Sequence, residues 1–175
     1  MNVSWFSRIS RGGREPLSGG TVIACDLPPG MRRPVVLTLA NPARAAVLAE
    51  VAIRIAAARQ TGGVLLHIAA VRDRDQPPPD TEPTAWPALA AALEVVRQAH
   101  LPVGWIVRSA EEIGQAIRET AAELHACLVI LGWRGTSPQQ SASLAAVLED
   151  PLCDVAAVAL QAGSSRPRNA SSIAP

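Results

Sequence analysis

The chain lacks lysine and tyrosine altogether, and all 16 of its basic residues are arginines. A P-loop requires a lysine ahead of its serine or threonine, so the missing lysine excludes that class of nucleotide site. The formal net charge of only +1 gives no electrostatic case for nucleic acid or an anionic membrane as a ligand. We therefore expect no nucleic-acid partner.

Cysteine and long apolar runs are also scarce. The three cysteines have no CxxC spacing, and no His, Cys, Asp and Glu cluster has the spacing of metal ligands, so neither disulfides nor a metal site is indicated. The longest helical apolar stretch, Ala45 to Ala58, contains Glu50 and Arg54 and is shorter than the roughly 20 residues of a membrane span. Since the N-terminus also lacks the apolar region of a secretory signal, we expect a cytoplasmic protein without membrane insertion.

Composition divides the chain into three parts. Residues 1–30 mix Gly, Pro, Ser and Arg and predict a flexible arm, although the short TVIAC run at Thr21 to Cys25 could add a strand or cover a hydrophobic edge. Residues 31–161 carry the apolar periodicity of one folded domain. Residues 162–175 return to Gly, Ser, Pro and Arg and predict a disordered tail.

Strand and helix patterns alternate through the domain. Apolar, β-branched runs predict strands at 34–39, 64–71, 103–107, 127–131 and 154–160. Periods of three and four residues predict helices at 43–59 and 84–100, a third capped near Ser109 and running to Leu124, and a short one from Ser141 or Ser143 to Asp150. This order predicts an α/β fold: a doubly wound, open parallel sheet of five strands with helices on both faces.

The run LVILGWRG, residues 128–135, ends a buried strand in two glycines, Gly132 and Gly135. Glycines at the carboxyl end of a parallel strand let the backbone approach a ligand, so this segment is a candidate phosphate loop. A third glycine is missing before Gly163. Arg134 has a guanidinium suited to an anion, whereas Trp133 either points away from the ligand side or forms a lid.

Four segments in a fixed order carry a family resemblance: PVVLTLANP, LLHI, SAEEIGQAIRETAAELHACLVILGWRG and DPLCDVAAV. Together they resemble the universal stress protein domain, of the adenine-nucleotide alpha hydrolase-like group, over about residues 34–160. The segments GWRG and CDVAAV are most similar to those of the universal stress protein domains at the cytoplasmic ends of amino-acid permeases and cation antiporters.

The resemblance implies a nucleotide site that is degenerate here. ATP-binding members carry Gly-x2-Gly-x9-Gly-Ser/Thr, whose amides and hydroxyl hold phosphates. Gly132 and Gly135 match its first two glycines, but direct counting puts residues 145–146, both alanine, at the Gly-Ser pair. Anchoring on CDVAAV instead puts Ser141 and Ala142 there, with a shortened loop. This second alignment leaves the last helix whole.

The end of the first predicted strand departs from the family as well. Leu39 is followed by Ala40, where the family has an aspartate that reaches the nucleotide, and then by Asn41. Losing one charge-assisted hydrogen bond costs about 1.5 to 3 kcal/mol. His67 is expected to be a partly buried structural residue near the adenine end, and Ser143 is as suited to capping a helix as to holding phosphate.

We therefore expect a non-enzymatic module, since no nucleophile, base and orienting group line up, that binds ATP, AMP or a cyclic dinucleotide weakly. The alternative is a regulatory or interaction domain with a non-functional nucleotide site, linked to a membrane transporter. The resemblance further implies a homodimer formed through the strand at Val155 to Leu160. The candidate nucleotide residues are Leu39, Ala40, Asn41, His67, Gly132, Arg134, Gly135, Ser141, Ala142 and Ser143.

Overall fold

The computed structural model describes residues 20–70, 83–133 and 138–159, and these form six strands and four α-helices. In chain order the elements are β1 (Thr21–Asp26), β2 (Val35–Leu39), α1 (Pro42–Ala58), β3 (Gly63–Ala70), a 3₁₀ turn (Pro83–Ala85), α2 (Pro87–Val96), β4 (Val103–Ala110), α3 (Ile113–Glu123), β5 (Leu128–Trp133), α4 (Pro138–Glu149) and β6 (Asp154–Ala159).

The strands form one sheet in the order β1-β4-β3-β2-β5-β6. Strands β2 to β6 are mutually parallel, which confirms the doubly wound α/β fold, and β6 lies at an edge as expected. The count of five strands was wrong by one, because the TVIAC run pairs antiparallel with β4 as β1. Gly104 makes room for this segment: a Cβ there would lie 2.7 Å from the carbonyl oxygen of Asp26.

Helices cover both faces of the sheet. On one face α1 and α2 bury Leu48 and Leu89 against strand residues such as Leu37 and Ile130, and we call this the first core. On the other face α3 and α4 bury Ile117, Ala121 and Val147 against alternate strand residues, and we call this the second core. Each parallel strand is therefore apolar on both sides, as the continuous Val- and Leu-rich runs predict.

Helix boundaries depart from the sequence predictions at three places. Ser109, expected near the start of α3, lies in β4, which continues to Ala110 because it pairs with β3 along its full length. Helix α2 ends at Val96, ahead of the predicted His100. Helix α4 begins at Pro138, a residue suited to a first helical turn, so Ser141 and Ser143 lie inside the helix and neither caps it.

A buried arginine joins β4 to α3. Arg108 is 4% exposed; its Nη2 donates to both carboxylate oxygens of Glu123 at 2.8 and 3.0 Å, and its Nη1 donates to the Thr120 hydroxyl at 2.8 Å. The Thr120 hydroxyl in turn donates to the Ala116 carbonyl at 2.8 Å. A bidentate guanidinium–carboxylate pair has a narrow geometry, so this network fixes the position of α3 over the sheet.

His67 in β3 connects the end of β2 to the 3₁₀ turn region. Its Nδ1 donates to the Leu39 carbonyl at 3.0 Å, and its ring lies 5.0 Å from that of Trp86, tilted by 52°. Burial lowers the pKa of His67 below its ordinary value, and the hydrogen bond to Leu39 opposes that shift only in part. His67 thus packs as a neutral ring in the first core.

Substituting Gly114 should separate α3 from α4. A Cβ at Gly114 would lie 2.6 Å from the Ala146 Cβ and 3.0 Å from the Ser143 carbonyl oxygen, so Gly114→Ala forces two packed backbones apart. We expect a loss of about 1 to 3 kcal/mol in the free energy of unfolding, measured by urea denaturation. Gly63→Ala is the matched control, because its Cβ would meet Val103 at 3.9 Å, an ordinary contact. Equal stability of the two variants would contradict this packing.

Acid should destabilise the protein through His67. Because its pKa is lowered in the folded state, the unfolded chain takes up the proton first as the pH falls below about 6.5, and stability present above that pH is lost. His67→Asn keeps an N–H donor near the Leu39 carbonyl but cannot titrate. Urea unfolding from pH 7.5 to 5 should show wild type losing stability relative to this variant, with His100→Asn, which removes an exposed imidazole, as the control. A gap that stays constant with pH would exclude the effect.

Candidate functional site: an apolar cavity at the carboxyl edge of the sheet

A cavity of about 260 Å³ lies where β2, β3 and β5 end, against α3 and α4. The strand order reverses here, because β2 is flanked by β3 on one side and β5 on the other. Open α/β sheets place their ligand crevices at this reversal. The residues that line the cavity are Thr38, Leu39, Ala40, Leu66, Ile68, Ile113, Ile117, Leu131, Gly132, Trp133, Ser143 and Leu144.

The lining is almost entirely apolar. Two side chains carry hydroxyls, Thr38 and Ser143, and the Thr38 hydroxyl donates to the Ile130 carbonyl at 3.2 Å. Among the described residues that line the cavity, none has a charged side chain. Such a surface suits a flat, weakly polar group better than a phosphate, which needs cations or free amides.

The sequence left open whether Trp133 points away from the ligand side or forms a lid. In the structure it does not point away but lines the cavity. In β5 the side chain of Leu131 packs in the second core, and Trp133, two residues on, lines the cavity. Its indole is partly exposed, so one part of the ring packs in the protein while the rest stays accessible. An aromatic wall of this kind can stack on a planar ligand.

Gly132 lines the cavity through its backbone, but a side chain at this position would point toward the opposite face of the sheet. A Cβ built there would lie 2.9 Å from Leu48 Cδ1 of α1, in the first core. Because this atom is the terminal methyl of a flexible side chain, the contact narrows the space for a Cβ at Gly132 without requiring a glycine there.

Asn41 lies at the carboxyl edge but is used within the fold. Its Oδ1 accepts a hydrogen bond from the Ala43 amide at 3.0 Å, and its carbonyl accepts from Arg44 and Ala45 at 3.1 and 3.0 Å. With proline at position 42, these bonds account for all the amides of the first turn of α1. The start of α1 thus offers a phosphate no unpaired N–H.

The structure brings together four of the predicted site residues and separates the others. Leu39, Ala40, Gly132 and Ser143 line the cavity, whereas neither Asn41 nor the exposed Ala142 does. His67 also lies apart, since its ring is held in the first core by Leu39 and Trp86 while its neighbours Leu66 and Ile68 face the cavity. Arg134 and Gly135 fall outside the described residues, as does the side chain of Ser141.

Sequence reasoning missed most of the cavity wall. Ile113 and Ile117 lie one helical turn apart on α3, and Leu66 and Ile68 alternate along β3. Both spacings are visible in the sequence, but they predict only a helix and a buried strand and do not mark a cavity wall. Their position within each element could have distinguished cavity-lining residues from core residues. They occur toward the carboxyl end of a strand or at the start of a helix.

The part of the chain that the structure describes shows neither a metal cluster nor a membrane span. There, no three His, Cys, Asp or Glu side chains come close enough to hold a metal ion. Nor is any helix in those ranges long and apolar enough to cross a bilayer.

Comparisons with known proteins agree on the fold. No curated protein matches the sequence. A universal stress protein from Archaeoglobus fulgidus is 19% identical, with a TM-score of 0.58 over 73% of this chain and 98% of that one. The structure of the universal stress protein from Archaeoglobus fulgidus in complex with dAMP is 18% identical, with a TM-score of 0.57 over 73% of this chain and 98% of that one. A universal stress protein in complex with cAMP is 17% identical, with a TM-score of 0.55 over 75% of this chain and 100% of that one.

A sequence model of one family covers almost the whole sheet. The model of the universal stress protein family matches residues 31–158, which include β2 to β5 and all of β6 but its last residue, and which leave out β1. At 17 to 19% identity the structural likenesses support the same fold. Because the family model matches most of the chain's length, this chain belongs to the universal stress protein family.

Proposed function

We propose that this domain is a non-enzymatic module that binds a small adenine compound weakly, with the base in the cavity beside Trp133. The observation that carries the proposal is the cavity itself, which is open at the strand reversal and walled by apolar side chains and one indole. Two structures with this fold contain adenine nucleotides, cAMP and dAMP. An adenine ring has the flat, largely apolar shape that such walls accept.

Weak binding follows from the missing polar anchors. Ala40 replaces a side chain that could reach the ligand, and Asn41 is used to cap α1. Stacking and apolar burial remain, and these supply only part of the free energy that a nucleotide complex gains from charge-assisted hydrogen bonds.

The non-enzymatic part of the proposal concerns the groups needed for hydrolysis. The described wall of the cavity holds no carboxylate, histidine or cysteine that could act as base or nucleophile. His67 does not line the cavity, because its ring packs against Trp86 and donates to the Leu39 carbonyl. An ATP hydrolase would instead release phosphate at a rate that falls when Gly135 or Ser141 is substituted.

A second candidate function is a regulatory domain whose nucleotide site has been lost, acting on a membrane transporter. The observation in its favour is the use of Asn41 and Thr38 in internal hydrogen bonds. Genes for membrane-spanning transporters next to this one, together with an absence of nucleotide binding, would favour it over the leading proposal.

Calorimetry with ATP, AMP, cAMP and a cyclic dinucleotide tests adenine binding. We expect at least one of them to bind with a dissociation constant of about 10 μM to 1 mM, the range that corresponds to about −4 to −7 kcal/mol. Absence of heat and of any thermal shift with all four would remove the ligand-binding function.

The same titrations with Trp133→Ala locate the site. Losing the indole wall should weaken binding about tenfold, whereas Trp133→Phe, which keeps a smaller aromatic face, should retain most of it. Trp105→Phe is the matched control, since Trp105 packs in the first core. If Trp133→Ala binds as tightly as wild type, the ligand lies elsewhere.

Homodimer formation through β6 is the remaining part of the proposal. β6 is an edge strand, its residues Ala157 and Ala159 are exposed, and Leu152 just before it is 56% exposed. After Asp154 the strand is short and uncharged, and an edge of this kind can pair with a second copy across a twofold axis.

A charge placed on that edge should prevent the pairing. We expect wild type to sediment as a dimer at micromolar concentration and Ala157→Lys to sediment as a monomer, because two lysines would face each other across the axis. Thr21→Lys, on the opposite edge strand β1, is the control and should leave the dimer intact. A monomeric wild type would contradict the proposal.

A further inference from the structure

Arg108 is buried in β4 and is not one of the residues that line the cavity, but it holds the helix that forms one of the cavity walls. We propose that Arg108 is a positioning residue for the adenine site: through Glu123 and Thr120 it sets where α3 places its two isoleucines in the wall. This inference rests on the adenine-binding function proposed above and deepens it by assigning a residue that controls the width of that site.

One stripe of α3, at steps of three and four residues, both lines the cavity and holds Arg108. Its members are Ile113, Ala116, Ile117, Thr120 and Glu123. The two isoleucines line the cavity, whereas the other three accept hydrogen bonds from the guanidinium of Arg108. These bonds measure 2.8 Å to the Thr120 hydroxyl, 2.8 and 3.0 Å to the Glu123 carboxylate and 3.5 Å to the Ala116 carbonyl. Because a helix moves as one body, any shift of these three residues carries the two isoleucines with it.

Arg108 also adjoins the wall on the strand side. In the parallel pairing of β3 with β4, Arg108 is the register partner of Ile68, which lines the cavity. Ile106, two residues earlier in β4, packs in the second core, so Arg108 lies on that same face of the sheet. The guanidinium therefore connects β4 to α3 beside the cavity, and its geometry sets the separation between Ile68 and the isoleucines of α3.

The energetics of the ion pair favour placement over stability as its role. Arg108 is 4% exposed, and the cost of desolvating such a pair offsets much of its attraction. Its Nε is buried and has no hydrogen-bond partner in the part of the chain that the structure describes, which also costs stability. Apolar packing in the second core holds α3 on the sheet without directional preference, whereas a bidentate guanidinium–carboxylate pair has a narrow geometry. Apolar replacements should therefore keep the fold and lose the placement.

The experiment replaces the ion pair in the full chain by apolar side chains. Arg108→Met combined with Glu123→Leu leaves neither charge without its partner, and the Thr120 hydroxyl keeps its bond to the Ala116 carbonyl. We expect the urea midpoint of unfolding to stay at or above that of wild type. Calorimetry should show the tightest binder among ATP, AMP, cAMP and a cyclic dinucleotide to bind about five- to tenfold more weakly. A folded double variant that binds it within about twofold of wild type would overturn the inference and leave the proposed function standing.

Two controls separate placement from a general effect of substitution. The same exchanges in an exposed pair on α2, Arg97→Met with Glu94→Leu, should leave affinity within about twofold of wild type. Thr120→Val removes the hydroxyl that accepts from Arg108 and should weaken binding about two- to fivefold, whereas Thr120→Ser keeps the hydroxyl and should bind as wild type does. If the double variant fails to fold, the two Thr120 variants decide, and equal affinities for them would overturn the inference.

Isoleucine methyl NMR tests the placement of α3 without any ligand. In the double variant the δ-methyl signals of Ile113 and Ile117 should shift or broaden, whereas those of Ile53 and Ile55, which pack in the first core, should stay as in wild type. Unchanged signals from Ile113 and Ile117 would overturn the inference. If none of the four compounds binds wild type, the proposed function fails, and these spectra alone then decide whether Arg108 positions α3.

Discussion

The adjacency of β2 and β5 at the centre of the sheet determines where this protein can hold a ligand. Helix α1 leaves β2 toward the first core, while α4, which follows β5, packs in the second core. The two chain paths diverge at the carboxyl ends of the strands and leave a crevice that neither core fills. Helices cover both faces of the central strands, and the crevice lies where they leave this edge open.

Within that constraint, the fold uses its own polar groups. Asn41 closes α1, the Thr38 hydroxyl bonds the Ile130 carbonyl, and Arg108 is held by Glu123. Buried or edge polar groups that are paired within the protein have little left to give a ligand. The outcome is a crevice whose described walls are apolar, and this is why shape and stacking dominate the proposed binding.

The parallel strands could be predicted from sequence because their signal is local. Apolar runs such as 35–39 and 128–131 are buried on both sides and need no tertiary information to be recognised. β1 was harder, because its strand depends on the exposed edge of β4 and on Gly104, 80 residues away in the chain. The prediction that Ser141 or Ser143 caps the last helix was wrong for a similar reason. A serine suits a cap and a helix interior alike, and the helix begins at Pro138, three residues before Ser141.

Gly132 shows why the site was harder to predict than the fold. Its spacing from Gly135 indicates a phosphate loop, and its place at the end of β5 agrees with that interpretation. In the structure, a Cβ at this position would also lie 2.9 Å from Leu48 Cδ1 in the first core. A glycine that lies against a core side chain can serve packing as well as binding, so its place at the end of a strand does not by itself indicate an activity. The residues that line the cavity, Trp133 and the isoleucines of α3, carry the functional information instead.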